Sequence, residues 1–245
     1  MNSLSKSYKQ FQELLFEYVN LTKVILIIIY LVGYFGFILF PKIFISLTPF
    51  MLILNFLLIV LYQSHRISSF VRLCFIVFLF GFIIEVLGVT TGKIFGYYHY
   101  GNGLGLKLKA VPIIIGINWL ILTYCSAQIA NKAVKEDYYF LRSIVGAFLM
   151  VLVDIFIEMV ADSLDYWHWD GGIIPLQNYI AWLIISFFFN LIYQTINFKT
   201  QNKIASTVFV LQLLFFFGLS YKSSIEKINK KSPSNINFKI KKSKK

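Results

Sequence analysis

Three acids stand inside long apolar runs of this sequence: Glu85, Asp154 and Glu158. A charge at the centre of a membrane helix costs about 2.5–3.5 kcal/mol, so such groups are usually paired, protonated or turned toward a cavity. Asp154, Glu158, Asp162 and Asp165 follow one another at i, i+4, i+8 and i+11, which puts all four on one face of a continuous helix. No lysine or arginine lies in the interior of an apolar run to pair with them. Desolvation and mutual repulsion then favour the neutral form of at least one carboxyl, and a buried neutral carboxyl is a general acid. The plain alternative is a carboxyl that only ties two helices together by hydrogen bonds.

The polar and aromatic residues nearby extend this reading. Trp119 and Trp182 each lie in an apolar run close to an asparagine, Asn118 and Asn178, and an indole face lining a cavity attracts a developing cation. Tyr97, Tyr98, Tyr100, Tyr166, Trp167 and Trp169 fall between runs, where an interfacial belt is the default expectation. His65, His99 and His168 are scattered, without the spacing of a metal-binding motif. Cys74 and Cys125 sit within apolar runs, where a free thiol behaves as a small hydrophobe. Gly88, Gly92, Gly96, Gly101, Gly103 and Gly105 are too frequent for a plain linker and point to a folded, even re-entrant, connector. A phosphate-binding loop is excluded because the strand-to-helix context is missing.

The elements that must position these groups are membrane helices. Of 245 residues 58% are hydrophobic and 18% aromatic, and the mean hydropathy is +0.72, well beyond the ~45–50% apolar share of soluble domains. Runs of this length suit helices crossing a ~30 Å hydrocarbon core and lack the alternation of barrel strands. The expected fold is therefore all-α, a polytopic transmembrane helical bundle of about seven spans: 24–40, 44–62, 70–88, 111–130, 140–161, 179–197 and 204–221. Residues 1–23 form an N-terminal segment whose positions 8–21 have the pattern of an interfacial helix. No cleavable signal is expected there. The membrane domain covers 24–221, and residues 222–245 are a basic tail expected to be disordered.

That tail holds nine of the 23 basic residues and explains much of the net charge of +12. Its Ser/Asn/Lys composition suits anionic lipid headgroups, and nucleic acid is not expected as a partner. Basic residues near the other membrane ends favour an inward N-terminus, whereas the tail argues the opposite. Two connectors, 89–110 and 162–178, are long and polar, and seven spans put them on the same side of the membrane. A site built from both is thus geometrically allowed.

These residues resemble a known family, the carotenoid biosynthesis membrane proteins that include bisanhydrobacterioruberin hydratases and γ-carotene 1′-hydratases. The resemblance covers about residues 75–190. It rests on Glu85, Gly88-Val-Thr-Thr-Gly-Lys-Ile-Phe-Gly-Tyr-Tyr-His-Tyr100, Leu104-Gly105, Val111-Pro112, Asn118-Trp119, Asp154-x-x-x-Glu158, Trp167-x-Trp169 and Pro175-x-x-Asn178-Tyr179-x-x-Trp182. One position departs from it: Met159 stands where the pattern has Pro.

The resemblance implies hydration of the terminal isolated double bond of an acyclic ψ end group, with a carotenoid as substrate, the lipid bilayer as its setting, the cell membrane as location, and no organic cofactor or metal. Adding water to a trisubstituted alkene needs a proton donor, stabilisation of a tertiary carbocation and an oriented water. On this reading Glu85, Asp154 and Glu158 are the catalytic candidates, and Thr91, Tyr98, Tyr100, Asn118, Trp119, Trp169, Asn178 and Trp182 the substrate-binding ones. Two rivals remain at the level of sequence. One is an intramembrane prenyltransferase holding Mg²⁺ on the acidic stripe; the other is a carotenoid- or lipid-binding protein without catalysis.

Overall fold

The computed structural model describes residues 13–14, 17–63, 67–135, 138–196 and 202–231. Among the described residues it is an all-α bundle of eight helices: α1 (Val19–Leu39), α2 (Pro41–Ser46), α3 (Thr48–Leu61), α4 (Ile67–Thr91), α5 (Ile114–Ala133), α6 (Tyr139–Ala161), α7 (Leu176–Thr195) and α8 (Ala205–Lys231). Six of these, α1 and α4 to α8, are long and apolar enough to cross a membrane.

The run expected as the second span is two helices instead. Pro49 has no N–H to give the carbonyl four residues back, so a helix cannot pass through it, and α2 ends at Ser46 before α3 begins at Thr48. At 14 residues, α3 is about 21 Å long, short of the ~30 Å core. It still joins the two ends of the bundle. Thr48 Oγ1 shares a 2.9 Å hydrogen bond with the Tyr166 hydroxyl at the connector end, and the Ile59 carbonyl accepts from Asn202 Nδ2 at 2.9 Å at the other.

Burial ranks the helices. Only 17% of the most apolar window of α1 is buried, against 78% for α5. The outer helices turn residues such as Ile28, Val32, Phe75 and Leu214 outward, as a lipid-facing surface requires. The central α5 is the least apolar span and carries Thr123, Tyr124, Ser126 and Gln128, all buried. Without a hydrophobic drive between helices in lipid, such polar contacts hold the bundle together: Gln128 Nε2 donates to the Tyr193 hydroxyl at 2.7 Å, and the Tyr124 hydroxyl to Gln63.

The two long connectors meet at one end of the bundle, as their placement on one side demands. Strand β1 (Tyr98–Tyr100) pairs antiparallel with β4 (Trp167–Trp169), in the register Tyr98↔Trp169, His99↔His168 and Tyr100↔Trp167. Between them β2 (Lys107–Leu108) and β3 (Val111–Pro112) form a small hairpin turned by Lys109 and Ala110, both at positive φ. The connectors pack so closely that a Cβ on Gly101 would run into the side chain and backbone of Asp165. The Asn102 N–H donates to Asp165 Oδ2 at 2.9 Å and the Gly103 N–H to its carbonyl at 2.8 Å.

Several expectations need correction or lie elsewhere. The four-acid stripe is broken, because α6 stops at Ala161 and Asp165 turns back at φ 53°. Asp162 and Asp165 are consequently outside, at 84% and 47% side-chain exposure. Met159 is 40% exposed on the outer face, and α6 runs unbroken past it. The last helix reaches Lys231, past the expected start of the tail; residues 232–245, most of the N-terminal segment and His65 lie outside the described residues.

Candidate active site

The pleat of the β1–β4 ribbon decides which aromatics go inside. Successive side chains of a strand alternate faces, so Tyr98, Tyr100, Trp167 and Trp169 point into the bundle while His99 and His168 stack on the outer side, rings 5.2 Å apart. The sequence motif is the same in both strands, an aromatic, a histidine and an aromatic. This is the signal that could have separated these rings from an interfacial belt.

Under the ribbon α4, α5, α6 and α7 enclose a cavity of about 20 Å³, room for about one water molecule. Glu85 comes from α4, Trp119 and Asn118 from α5, Asp154 and Glu158 from α6, and Asn178 and Trp182 from the first turns of α7. The three acids are buried, at 4%, 0% and 6% exposure in chain order. Among the described residues no lysine or arginine lines the cavity, so the carboxyls rely on hydrogen-bond donors.

Those donors are unevenly shared. Glu85 Oε2 accepts from the hydroxyls of Tyr98 at 2.6 Å and Tyr100 at 2.8 Å, and its Oε1 from the Trp119 indole N–H at 2.9 Å. Burial, and next the neighbouring Glu85 carboxylate, push both phenols well above their ordinary pKa of 10.0, which keeps them as donors. Glu158 Oε2 accepts the indole N–H groups of Trp167 at 3.0 Å and Trp169 at 2.8 Å, and its Oε1 accepts from Asn178 Nδ2 at 2.8 Å. Asp154 differs. Its Oδ2 has only a long 3.4 Å contact from Asn178, and its Oδ1 has no partner among the described residues.

A carboxylate accepts only, whereas a protonated carboxyl must also place its own proton. Indole and amide N–H groups donate and never accept, so the setting of Glu158 suits an anion, whereas the two phenols at Glu85 can also accept. Asp154 lines the cavity and keeps one buried oxygen without a partner among the described residues. Beside it Trp119 and Trp182 stack at 4.0 Å between centroids and 18° between planes. The site thus combines a carboxyl with one unpaired oxygen, two carboxyls each held by three hydrogen bonds, and a pair of stacked indole rings. Among the described residues no three of His, Cys, Asp and Glu group as metal ligands would.

Ten of the eleven residues singled out in the sequence come together here. Thr91 does not: its hydroxyl donates to the Leu87 carbonyl at 2.6 Å and accepts from the Lys93 N–H, closing the exposed end of α4. Trp167, Phe95, Ile115 and Ile157 also line the cavity and were not singled out. Trp167 was legible through the strand alternation; the other three are apolar residues among many. The ion cluster outside is separate. His168 Nδ1 lies 2.6 Å from Asp162 Oδ1 and its Nε2 2.9 Å from Asp165 Oδ1.

A family model described as "Carotenoid biosynthesis protein" matches residues 47–226. The match covers well over half of the chain and every residue of the acid cavity. Neither a curated protein nor a solved structure matches the chain. On the family match, the chain belongs to the carotenoid biosynthesis proteins.

Proposed function

We propose that this member of the carotenoid biosynthesis proteins is a hydratase of the cell membrane, adding water across the terminal isolated double bond of an acyclic ψ end of a carotenoid. The observation that carries the reading is the unequal hydrogen bonding of the three buried acids around a water-sized cavity, which leaves Asp154 as the one carboxyl with an unpaired oxygen among the described residues.

Asp154 delivers its proton to the CH carbon of the (CH₃)₂C=CH end, and the π electrons form the new C–H bond. The cation left on the dimethyl carbon is tertiary. Glu85 and Glu158, anchored as anions, and the faces of Trp119 and Trp182 stabilise it. Water attacks that carbon and its oxygen forms the C–O bond; the surplus proton returns to the Asp154 carboxylate. Net, one water is added and a tertiary alcohol remains, with no redox step.

Expression in a bacterium that accumulates lycopene or γ-carotene, followed by mass analysis of the pigments, tests the assignment. Hydration gives pigment heavier by one water. Pigment retained on the purified protein but unchanged in mass would mark a binding protein instead. Turnover lost on chelation and restored by Mg²⁺ would favour prenyl transfer.

A further inference from the structure

A second and larger cavity lies outside the acid site. It has a volume of about 390 Å³ and runs between α1, α3 and α8, with Ile28, Val32 and Phe50 at its outer edge and Tyr166 at its connector end. That volume falls within the ~300–1,000 Å³ of small-molecule sites. Its wall is mostly apolar; the hydroxyls of Tyr30, Thr48 and Tyr166 are hydrogen-bonded, and two amides are not fully so. Asn55 and Gln212 both line it, at 1% and 3% exposure, and each has an amide oxygen without a hydrogen-bond partner among the described residues.

Their other amide atoms are occupied. Asn55 Nδ2 donates to the Tyr30 hydroxyl at 2.8 Å, and Gln212 Nε2 to Asn118 Oδ1 at 3.3 Å. Asn118 lines the acid cavity, so the Gln212–Asn118 pair stands between the two. A buried amide oxygen left unsatisfied in apolar surroundings is costly. A plain hydrocarbon or acyl chain cannot relieve it, because it brings no donor. A ligand with a long apolar body and a hydroxyl can.

We propose that the groove between α1, α3 and α8 binds a linear isoprenoid alcohol, its branched chain along the apolar wall and its hydroxyl donating to the free amide oxygen of Gln212, with Asn55 as the second polar anchor. Identifying that alcohol with the product of the acid site rests on the hydration reading above. Turnover requires the newly hydroxylated end to leave the acid site, and Gln212 is the first unpaired acceptor beyond Asn118 among the described residues. The groove then favours the alcohol over its hydrocarbon precursor and draws product away from the acids.

The test uses the full chain in lipid nanodiscs and saturated probes that have no double bond to hydrate: tritiated phytanol, displaced by unlabelled phytanol or by phytane, its hydrocarbon counterpart. Phytanol is expected to compete about ten-fold better than phytane, the equivalent of one well-made hydrogen bond. Gln212→Met, of similar length and without the acceptor, and independently Asn55→Leu, should shrink that preference while leaving phytane competition within about two-fold. Gly33→Leu should block both probes; a Cβ at Gly33 meets only Phe215, at 3.7 Å, so the larger side chain extends into the groove. Equal competition by the two probes in the parent, or a preference that survives both polar substitutions, overturns the proposal. Because neither probe can react, loss of hydration with the alcohol preference intact would count against the hydratase alone.

Discussion

Removing one hydroxyl from the Glu85 clamp should destabilise the protein more than removing the charge of Glu85 itself. Tyr98→Phe and Tyr100→Phe each delete a donor to Glu85 Oε2, at 2.6 and 2.8 Å in the parent, and leave the carboxylate buried with two bonds instead of three. A hydrogen bond to a charged group is worth about 1.5–3 kcal/mol. At about 2–4 °C per kcal/mol for a chain of this size, each change lowers Tm by roughly 5 °C. Glu85→Gln turns three charge-assisted bonds into neutral ones, losing about 1 kcal/mol apiece. It also removes a charge whose burial costs about 2.5–3.5 kcal/mol. The two effects nearly cancel, and the amide fits: its oxygen faces the Trp119 N–H, its NH₂ the two phenol oxygens. Tm of Glu85→Gln should therefore stay within about 2 °C of the parent while hydration falls. Thermal unfolding of detergent-solubilised single variants, and of Tyr100→Phe in the Glu85→Gln background, measures this. Coupling of at least about 1 kcal/mol is expected in that cycle. If Glu85→Gln melts far below both phenylalanine variants, Glu85 is not an anion held by its donors and the assignment of roles fails.

Asp154→Asn keeps shape and leaves the donors of Glu85 and Glu158 untouched, so the protein should fold and bind pigment while turnover drops by about 10²–10⁴-fold, the usual worth of a general acid; single-turnover pigment analysis reads it. At the connectors, hydrogen bonds to Asp162 and Asp165 raise the His168 pKa above its ordinary 6.5, and hydrogen bonds from His168 and the Asn102 N–H lower that of Asp165 below 3.8. The histidine contribution is complete below 6.5 and fades as pH rises through the raised value; the aspartate contribution is complete above 3.8 and fades as pH falls through the lowered one. Protection of the Asn102 and Gly103 amides from hydrogen exchange, corrected for the intrinsic rate, should peak between those limits, and His168→Gln should remove its alkaline edge. Gly101→Ala sets a methyl against the Asp165 backbone and should part the connectors, seen as faster labelling of a cysteine placed at His99.

The helices and the three acids were legible because membrane burial leaves a coarse mark: long apolar runs, and Glu85, Asp154 and Glu158 where a charge is out of place. The connectors were legible as a folded, shared face through their glycines. Of their rings, Tyr98, Tyr100 and Trp169 were singled out through the resemblance; composition alone reads these and Trp167 as an interfacial belt, and it is the pairing of the two strands that turns them toward Glu85 and Glu158. The stripe failed at Asp162 and Asp165 because helical spacing holds only while the helix lasts, and α6 stops at Ala161. Thr91 belonged to the connector motif yet serves the end of α4. Hydropathy ran through the break at Leu47, which Pro49 imposes. The orphan amides of Asn55 and Gln212 had no mark at all, because an unpaired oxygen is a property of packing.

The central claim is that the new hydroxyl comes from water after a proton is placed on the neighbouring carbon. Purified protein turning over an acyclic carotenoid in oxygen-18 water, with a parallel reaction in deuterium oxide, tests it most directly. The account predicts product whose hydroxyl oxygen is fully labelled and which carries one carbon-bound deuterium next to the hydroxylated carbon, with Asp154→Asn forming almost none. Product with unlabelled oxygen, or without that deuterium, would contradict it.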